Sequence, residues 1–314
     1  MFNMDEILQN VHSVGIGGHV RPDGDCVGSC LGVYNYFRTY YPNMDVHVYL
    51  EQIPDTFTFL ENADKIEQSK GDEQHDLFIA LDCGDLKRLG ETAKIFTNAK
   101  KTACVDHHIS NESFADLNHV IPDASSTCEL VYHLLPKVKI TKAIAECLYT
   151  GMVTDTGCFQ YSCTSSETMN AAGVLMDKGI DYTSIIHRVF YSVTYVQNQV
   201  LGYALLHSKL WEDGKIITTI LTQEDLKRFG AGPHDMESVV SSLRNTAGVE
   251  VAIFLHENED GSYKGSSRAT GDVNLSEVAA KFHGGGHAKA AGFTVYGDPE
   301  EALQEVITEI KKRL

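Results

Sequence analysis

Leu77-Phe78-Ile79-Ala80-Leu81 is a run of five apolar residues that ends on Asp82. A strand with no polar residue on either face is buried on both faces, which is the habit of parallel sheets covered by helices. Two further segments repeat the pattern. Ser13-Val14-Gly15-Ile16-Gly17-Gly18 leads into His19-Val20-Arg21-Pro22-Asp23-Gly24-Asp25, and Thr102-Ala103-Cys104-Val105 leads into Asp106-His107-His108. Val153-Thr154-Asp155-Thr156-Gly157 reads as a fourth such end, although residues 141–152 before it have helical spacing. Ligand sites in parallel α/β sheets form outside the carboxyl ends of the strands. Four strand ends carrying Asp and His are therefore expected to meet at one place.

The segments between these runs fit that layout. Val27, Leu31, Tyr34, Phe37 and Tyr41 recur at helical spacing, and Asp45–Tyr49 alternates like a strand. Strands alternating with helices predict an α/β fold with a parallel sheet. From about residue 214 the texture changes. Lys215–Leu221 and Val249–His256 alternate like antiparallel strands, Glu259-Asp260-Gly261 supplies a hairpin turn into Tyr263–Ala269, and Asn274 caps a short helix that Gly284-Gly285-Gly286 is expected to end. This predicts an N-terminal parallel-sheet domain over 1–188, a helical connector over 189–212, and a smaller C-terminal α+β domain over 213–314. The active-site cleft is expected between the two domains.

The carboxylates define the chemistry. An unpaired Asp82 at the end of an apolar strand would be costly to bury, so a partner is expected. A purely structural ion-pair network is one alternative, but a cation serves several carboxylates at once. Two divalent ions about 3.5–4 Å apart would hold and acidify a water that attacks phosphorus. Oxygen and imidazole donors suit Mn²⁺, with Mg²⁺ or Co²⁺ as substitutes. Eight cysteines are scattered without a Cys-x-x-Cys pair, so they read as reduced thiols and not as a zinc ribbon. The net charge of −17 argues against long duplex nucleic acid and favours small anions brought in by metal. No apolar run is long enough to span a bilayer, and the N-terminal residues 1–6 lack the basic start of a leader, so a cytoplasmic protein without membrane contact is the expectation.

These four motifs, in this order and spacing, resemble those of the DHH phosphoesterase superfamily, named for the triplet at Asp106-His107-His108. The resemblance covers essentially the whole chain. It implies a metal-dependent phosphoester hydrolase, and it, not the sequence, distributes the ligands. His19, Asp23 and Asp82 would hold one metal, and Asp25, Asp82, His107 and Asp155 a second, with Asp82 bridging. Asp106 would orient a ligand histidine. His108 would face the scissile phosphate as a donor or general acid.

Gly284-Gly285-Gly286-His287 is the informative motif of the second domain. Consecutive glycines let amides approach an anion, and Arg268 on the preceding strand could clamp a phosphate. Ser125, at an expected helix start, is a further substrate-binding candidate, although capping explains the Ser125-Ser126-Thr127 run equally well. Together these motifs are similar to the smaller domain of DHH exonucleases. Compact members of that kind resemble nanoRNase-type oligoribonucleases. That resemblance implies degradation of two- to five-nucleotide RNAs and linear dinucleotides such as pApA and pGpG to mononucleotides. It also implies removal of the 3′-phosphate of pAp, by a monomer or homodimer. Two readings stand beside it: a cyclic di-AMP or pApA phosphodiesterase of second-messenger signalling, and a nucleotide sensor that has lost catalysis. A degenerate sensor should lose metal ligands first, and every position of the motif set is filled here.

Overall fold

A computed structural model of the chain describes residues 6–314. Residues 1–5, on which most of the argument against a leader rests, lie outside the described residues. The chain divides into two compact units, Met1–Ser192 and Val193–Leu314.

In the first unit six strands form one parallel sheet. They are β1 (Ser13–Gly17), β2 (Asp45–Tyr49), β3 (Ile66–Glu67), β4 (Leu77–Leu81), β5 (Thr102–Asp106) and β6 (Leu117–Val120), in the spatial order β3-β2-β1-β4-β5-β6. The chain winds outward in one direction from β1 and in the other from β4. The gap between the ends of β1 and β4 is thus the topological switch point, where open α/β sheets bind ligands. The apolar run on β4 is buried on both faces as its pattern requires. Leu77, Ile79 and Leu81 join one core, while Phe78 and Ala80 join another.

The helices of this unit are α1 (Gly24–Tyr40), α2 (Ala93–Asn98), α3 (Thr127–Leu134), α4 (Lys142–Asp155), α5 (Ser166–Met176) and α6 (Tyr182–Ile186). The larger core lies between the sheet and α1, α3 and α4, and the smaller one between the sheet and α2. Two glycines inside α1 let it approach α4 closely. A Cβ on Gly28 would stand 2.5 Å from the Cys147 carbonyl, and one on Gly32 2.8 Å from the Leu148 side chain. The close pair runs antiparallel, so the start of α1 and the end of α4 emerge together. This corrects one expectation: Asp155 is the last residue of helix α4, not the end of a strand.

The second unit contains α7 (Tyr195–Leu206), β7 (Lys209–Trp211), β8 (Ile216–Leu221), α8 (Gln223–Phe229), α9 (Val239–Arg244), β9 (Val251–Glu257), β10 (Tyr263–Ala269), α10 (Leu275–Ala279), β11 (Gly285–His287), β12 (Ala290–Val295) and α11 (Pro299–Lys311). Its sheet has the order β11-β12-β10-β9-β8-β7. Alternate residues of β8 and β9 feed two cores. Ile216, Val251 and Ile253 pack with Leu303, Val306 and Ile307 of α11; Ile217, Ala252 and Phe254 pack with α7, α8 and α9. Helix α7, inside the stretch read as a connector, contributes Val200 and Ala204 to that second core. The expected antiparallel pairing of β8 and β9 is corrected: they run parallel. Helices α8 and α9 fill the intervening chain and supply the long crossover that a parallel pair needs. No helix among the described residues is long and apolar enough to cross a membrane.

Candidate active site

Each ring or carboxylate at the switch point is set by the local chain. Asp23 is the N-cap of α1, and its Oδ1 accepts the amides of Asp25 and Cys26 at 3.1 Å each. This leaves Oδ2 facing His19 Nε2 at 3.6 Å. Asp25, in the first turn of α1, is wholly buried. Its two oxygens accept the first amides of α3, from Thr127 at 2.7 Å and Cys128 at 2.8 Å. A helix start is a natural anion cradle, and here the anion is a side chain of the same protein. Asp82 follows β4 with φ 53°, a left-handed conformation that only tertiary context holds for a non-glycine residue.

Asp82 is the centre of the cluster and is 2% exposed. Its Oδ2 lies 3.4 Å from His19 Nε2, and its Oδ1 lies 3.6 Å from His107 Nε2 and 3.2 Å from the Thr127 hydroxyl. His107 Nε2 also lies 3.1 Å from Asp155 and 3.8 Å from Asp25. Both imidazoles turn their other nitrogen to a backbone carbonyl. His19 Nδ1 is 2.9 Å from the Val20 carbonyl, and His107 Nδ1 is 3.3 Å from that of Ala124. A carbonyl only accepts, so Nδ1 carries the proton and Nε2 points into the carboxylates, the arrangement of metal-ligating histidines.

The electrostatics are unbalanced. Among the described residues no lysine or arginine pairs with Asp23, Asp25, Asp82 or Asp155. Burial raises the Asp25 carboxyl well above its ordinary range, and repulsion from Asp82 and Asp155 adds to it. Burial also raises Asp155, against the pull of His107. Burial disfavours the imidazolium of His19, but Asp23 and Asp82 hold it at about 11. His107 is held at about 10 in the same way, by Asp155 and Asp25. Four crowded carboxylates with two oriented imidazoles form a donor set for divalent cations. Three groups of donors here have their ligand atoms within 4.8 Å of one another: His19, Cys26 and Asp82; Asp82, His107 and His108; and Asp25, His107 and Asp155.

All six residues named as metal ligands from the sequence come together. Asp106 and His108 lie beside them, with one correction. The fully buried carboxylate of Asp106 reaches His108 Nδ1 at 2.7 Å, not a ligand histidine, because His107 spends its Nδ1 on Ala124. Asp106 accordingly raises His108, with burial opposing. Ser125 is a second correction. It is 2% exposed, and its hydroxyl is donated to Glu129, which also accepts the Ser125 amide, so it offers no proton to a phosphate. Ser126 caps α3. The group that does face the cluster is Thr127, which sequence reasoning placed in the capping run without a role of its own. Its position at a helix start after two serines was the available signal.

In the second unit Arg268 lies on β10, half-buried, with Nη1 donating to the Ser267 carbonyl at 3.0 Å. Burial, then the neighbouring Arg244, lower its pKa. Arg268 and His287 both pair with Ala290 across the sheet, so they share one face with only a methyl between them. The glycine run does not end α10 as expected. His283 takes the left-handed position at φ 55°, and Gly285–His287 form the exposed edge strand β11. Gly284 donates its amide to the Ala279 carbonyl, and a Cβ there would meet the Gly292 carbonyl at 2.1 Å. Lys289 donates to the Gly271 carbonyl.

Residues 13–152 match the DHH family N-terminal domain, and residues 213–314 match the DHHA1 domain. The chain is 28% identical to a bifunctional oligoribonuclease and PAP phosphatase NrnA of Thermus thermophilus, over 98% of this chain and 93% of that protein. It is 27% identical to the Bacillus subtilis protein of the same name, over 88% of each. An exopolyphosphatase-related protein from Bacteroides fragilis has a similar crystal structure, with a TM-score of 0.85 and 29% identity, covering 98% of this chain and 94% of that one.

Proposed function

Because the chain belongs to the DHH superfamily of metal-dependent phosphoester hydrolases, we propose that it degrades short oligoribonucleotides and linear dinucleotides such as pApA and pGpG to mononucleotides. We further propose that it removes the 3′-phosphate of pAp. The observation that carries this reading is the buried carboxylate–imidazole cluster around Asp82, which has no lysine or arginine to balance it among the described residues. The names of the relatives, oligoribonuclease and PAP phosphatase, support the substrate class.

The two sides of the Asp82 carboxylate divide the donors. His19 stands toward Oδ2 with Asp23 beside it, and His107 toward Oδ1 with Asp25 and Asp155 beside it; together with Asp82 these residues would hold Mn²⁺. When bound, such ions would acidify a water and neutralise charge on the phosphoryl oxygens. The protein's own groups do the rest. The Nδ1 anchors hold both imidazoles at one orientation. The α3 amides hold Asp25 in place, and the Thr127 hydroxyl holds Asp82. His108, fixed by Asp106, presents Nε2 as the proton donor to the departing ribose oxygen. Arg268, with His287 on the same face of the sheet, would hold the substrate's terminal phosphate.

The test is a Mn²⁺-supplemented time course on pAp, pApA, cyclic di-AMP and RNA of graded length, read by chromatography. Mononucleotides released from the shortest RNAs, with AMP from pAp, are the expected products. A preference for cyclic di-AMP with silence on short RNA would move the protein to second-messenger turnover.

A further inference from the structure

We propose that Asn111 is a positioning residue for proton delivery: it fixes the Asp106 carboxylate, and through it the ring of His108. The inference rests on the reading of His108 as proton donor to the leaving oxygen.

Asn111 closes the loop that follows β5. Its Nδ2 donates to Asp106 Oδ2 at 2.7 Å and to the Cys83 carbonyl at 3.1 Å. Its Oδ1 accepts the Ser113 amide at 2.7 Å. An amide N–H can only donate, so the Ser113 contact settles which end of the side chain is oxygen. The nitrogen must then face Asp106. With two hydrogens, these two oxygen acceptors and the Cys104 sulfur at 3.5 Å, the NH₂ group is fully used.

The consequence falls on Asp106. One of its oxygens accepts from Asn111 and the other meets His108 Nδ1 at 2.7 Å, so the carboxylate plane is held from both sides. His108 therefore carries its Nδ1 proton toward Asp106, and its Nε2 meets no partner among the described residues. The Cys83 contact ties the loop to the segment that follows Asp82, and a Cβ on Gly84 would stand 3.3 Å from the His108 Cβ. His108 is thus referenced to the same strand end as the carboxylate–imidazole cluster around Asp82. A carboxylate held on one side only could rotate and carry the ring with it. Charge-assisted bonds to a buried carboxylate are the strong kind that prevent this.

In the step served, the water oxygen bonds to phosphorus as the bond from phosphorus to the ribose oxygen breaks. The His108 Nε2 proton passes to that ribose oxygen. The ring regains a proton from solvent, and the surplus proton of the water leaves to bulk.

The test compares leaving groups on the Mn²⁺-loaded full chain. The dinucleotide pApA expels a ribose alkoxide that needs a proton, whereas a nucleoside 5′-(p-nitrophenyl) phosphate expels a stabilised anion that does not. Asn111→Asp keeps the shape and the Ser113 contact while replacing the donor to Asp106, to the Cys83 carbonyl and to Cys104 Sγ with a carboxylate oxygen. Asn111→Leu removes both and is the variant at greater risk of misfolding. General acid–base catalysis contributes roughly 100- to 10,000-fold, so kcat on pApA should fall at least about tenfold in Asn111→Asp, with KM nearly unchanged. The p-nitrophenyl ester should be turned over at close to the wild-type rate, and Asp106→Asn should show the same selectivity. Equal losses on both substrates, or no loss on either, would overturn the inference and leave the hydrolase reading intact. A wild-type protein that cleaves neither substrate would sink the hydrolase reading itself, and this inference with it.

Discussion

Asp82 in the first unit is 2% exposed, and imidazoles and a hydroxyl meet it from two sides; Gly285, Gly286 and His287 in the second unit lie exposed on an edge strand. The first region holds charge inside the protein, where leaving it unpaired is costly. The second holds backbone and a few cations at the surface, where solvent satisfies them. A buried charged cluster demands a ligand of opposite sign, whereas an exposed glycine loop only permits one. Removal of a group should therefore be severe in the first region and graded in the second.

The sharpest way to break this contrast is Asp82→Asn. It should abolish turnover, by several orders of magnitude, and lower the bound metal, read by elemental analysis beside kcat. Retained metal with full activity would remove Asp82 from the centre of the site. Arg268→Ala should instead raise KM roughly tenfold or more with a smaller change in kcat, as expected for loss of a charged hydrogen bond worth about 1.5–3 kcal/mol. A kcat loss matching that of Asp82→Asn would erase the proposed division between chemistry and grip. Gly284→Ala tests the second unit's packing, since its Cβ would press on the Gly292 carbonyl and Phe293. It should cost about 1–3 kcal/mol in thermal unfolding. No change in melting would mean that the loop yields freely.

The smallest effect concerns Glu129, behind the site. Burial would raise its carboxyl, yet hydrogen bonds from His133, Ser125 and Thr168 hold it at about 2, below the ordinary 4.5. A depressed carboxyl stabilises the fold fully above its unfolded value, and the contribution fades as pH falls from about 4.5 toward about 2. Glu129→Gln should flatten that acid limb in denaturation curves taken across this window. An unchanged limb would show that the Ser125–Thr168 contacts do not depend on its charge.

Legibility in the sequence followed burial. The apolar run before Asp82 announced a strand with two covered faces, and its two residue sets do feed two cores. The six residues proposed as ligands stand in motifs at chain turns, so they were visible as residues. What escaped reading depended on contacts remote in sequence. Asp106 reaches His108 because Ala124 has already taken His107, and Ser125 is spent on Glu129 while Thr127 faces Asp82. Strand direction escaped as well. Strands β8 and β9 alternate identically whether parallel or antiparallel, and only the crossover through α8 and α9 decides between them.

The sequence by itself determined the α/β class of the first unit, the DHH resemblance and the list of chemistry-bearing residues. Side-chain type and short-range periodicity are local properties that survive without a structure. Only the tertiary structure decided which nitrogen of each histidine points inward, that Asp155 comes from a helix end, and that Asn111 locks Asp106. Each of these outcomes is a competition among donors and acceptors from distant segments, and the winner is set by where the fold brings them together.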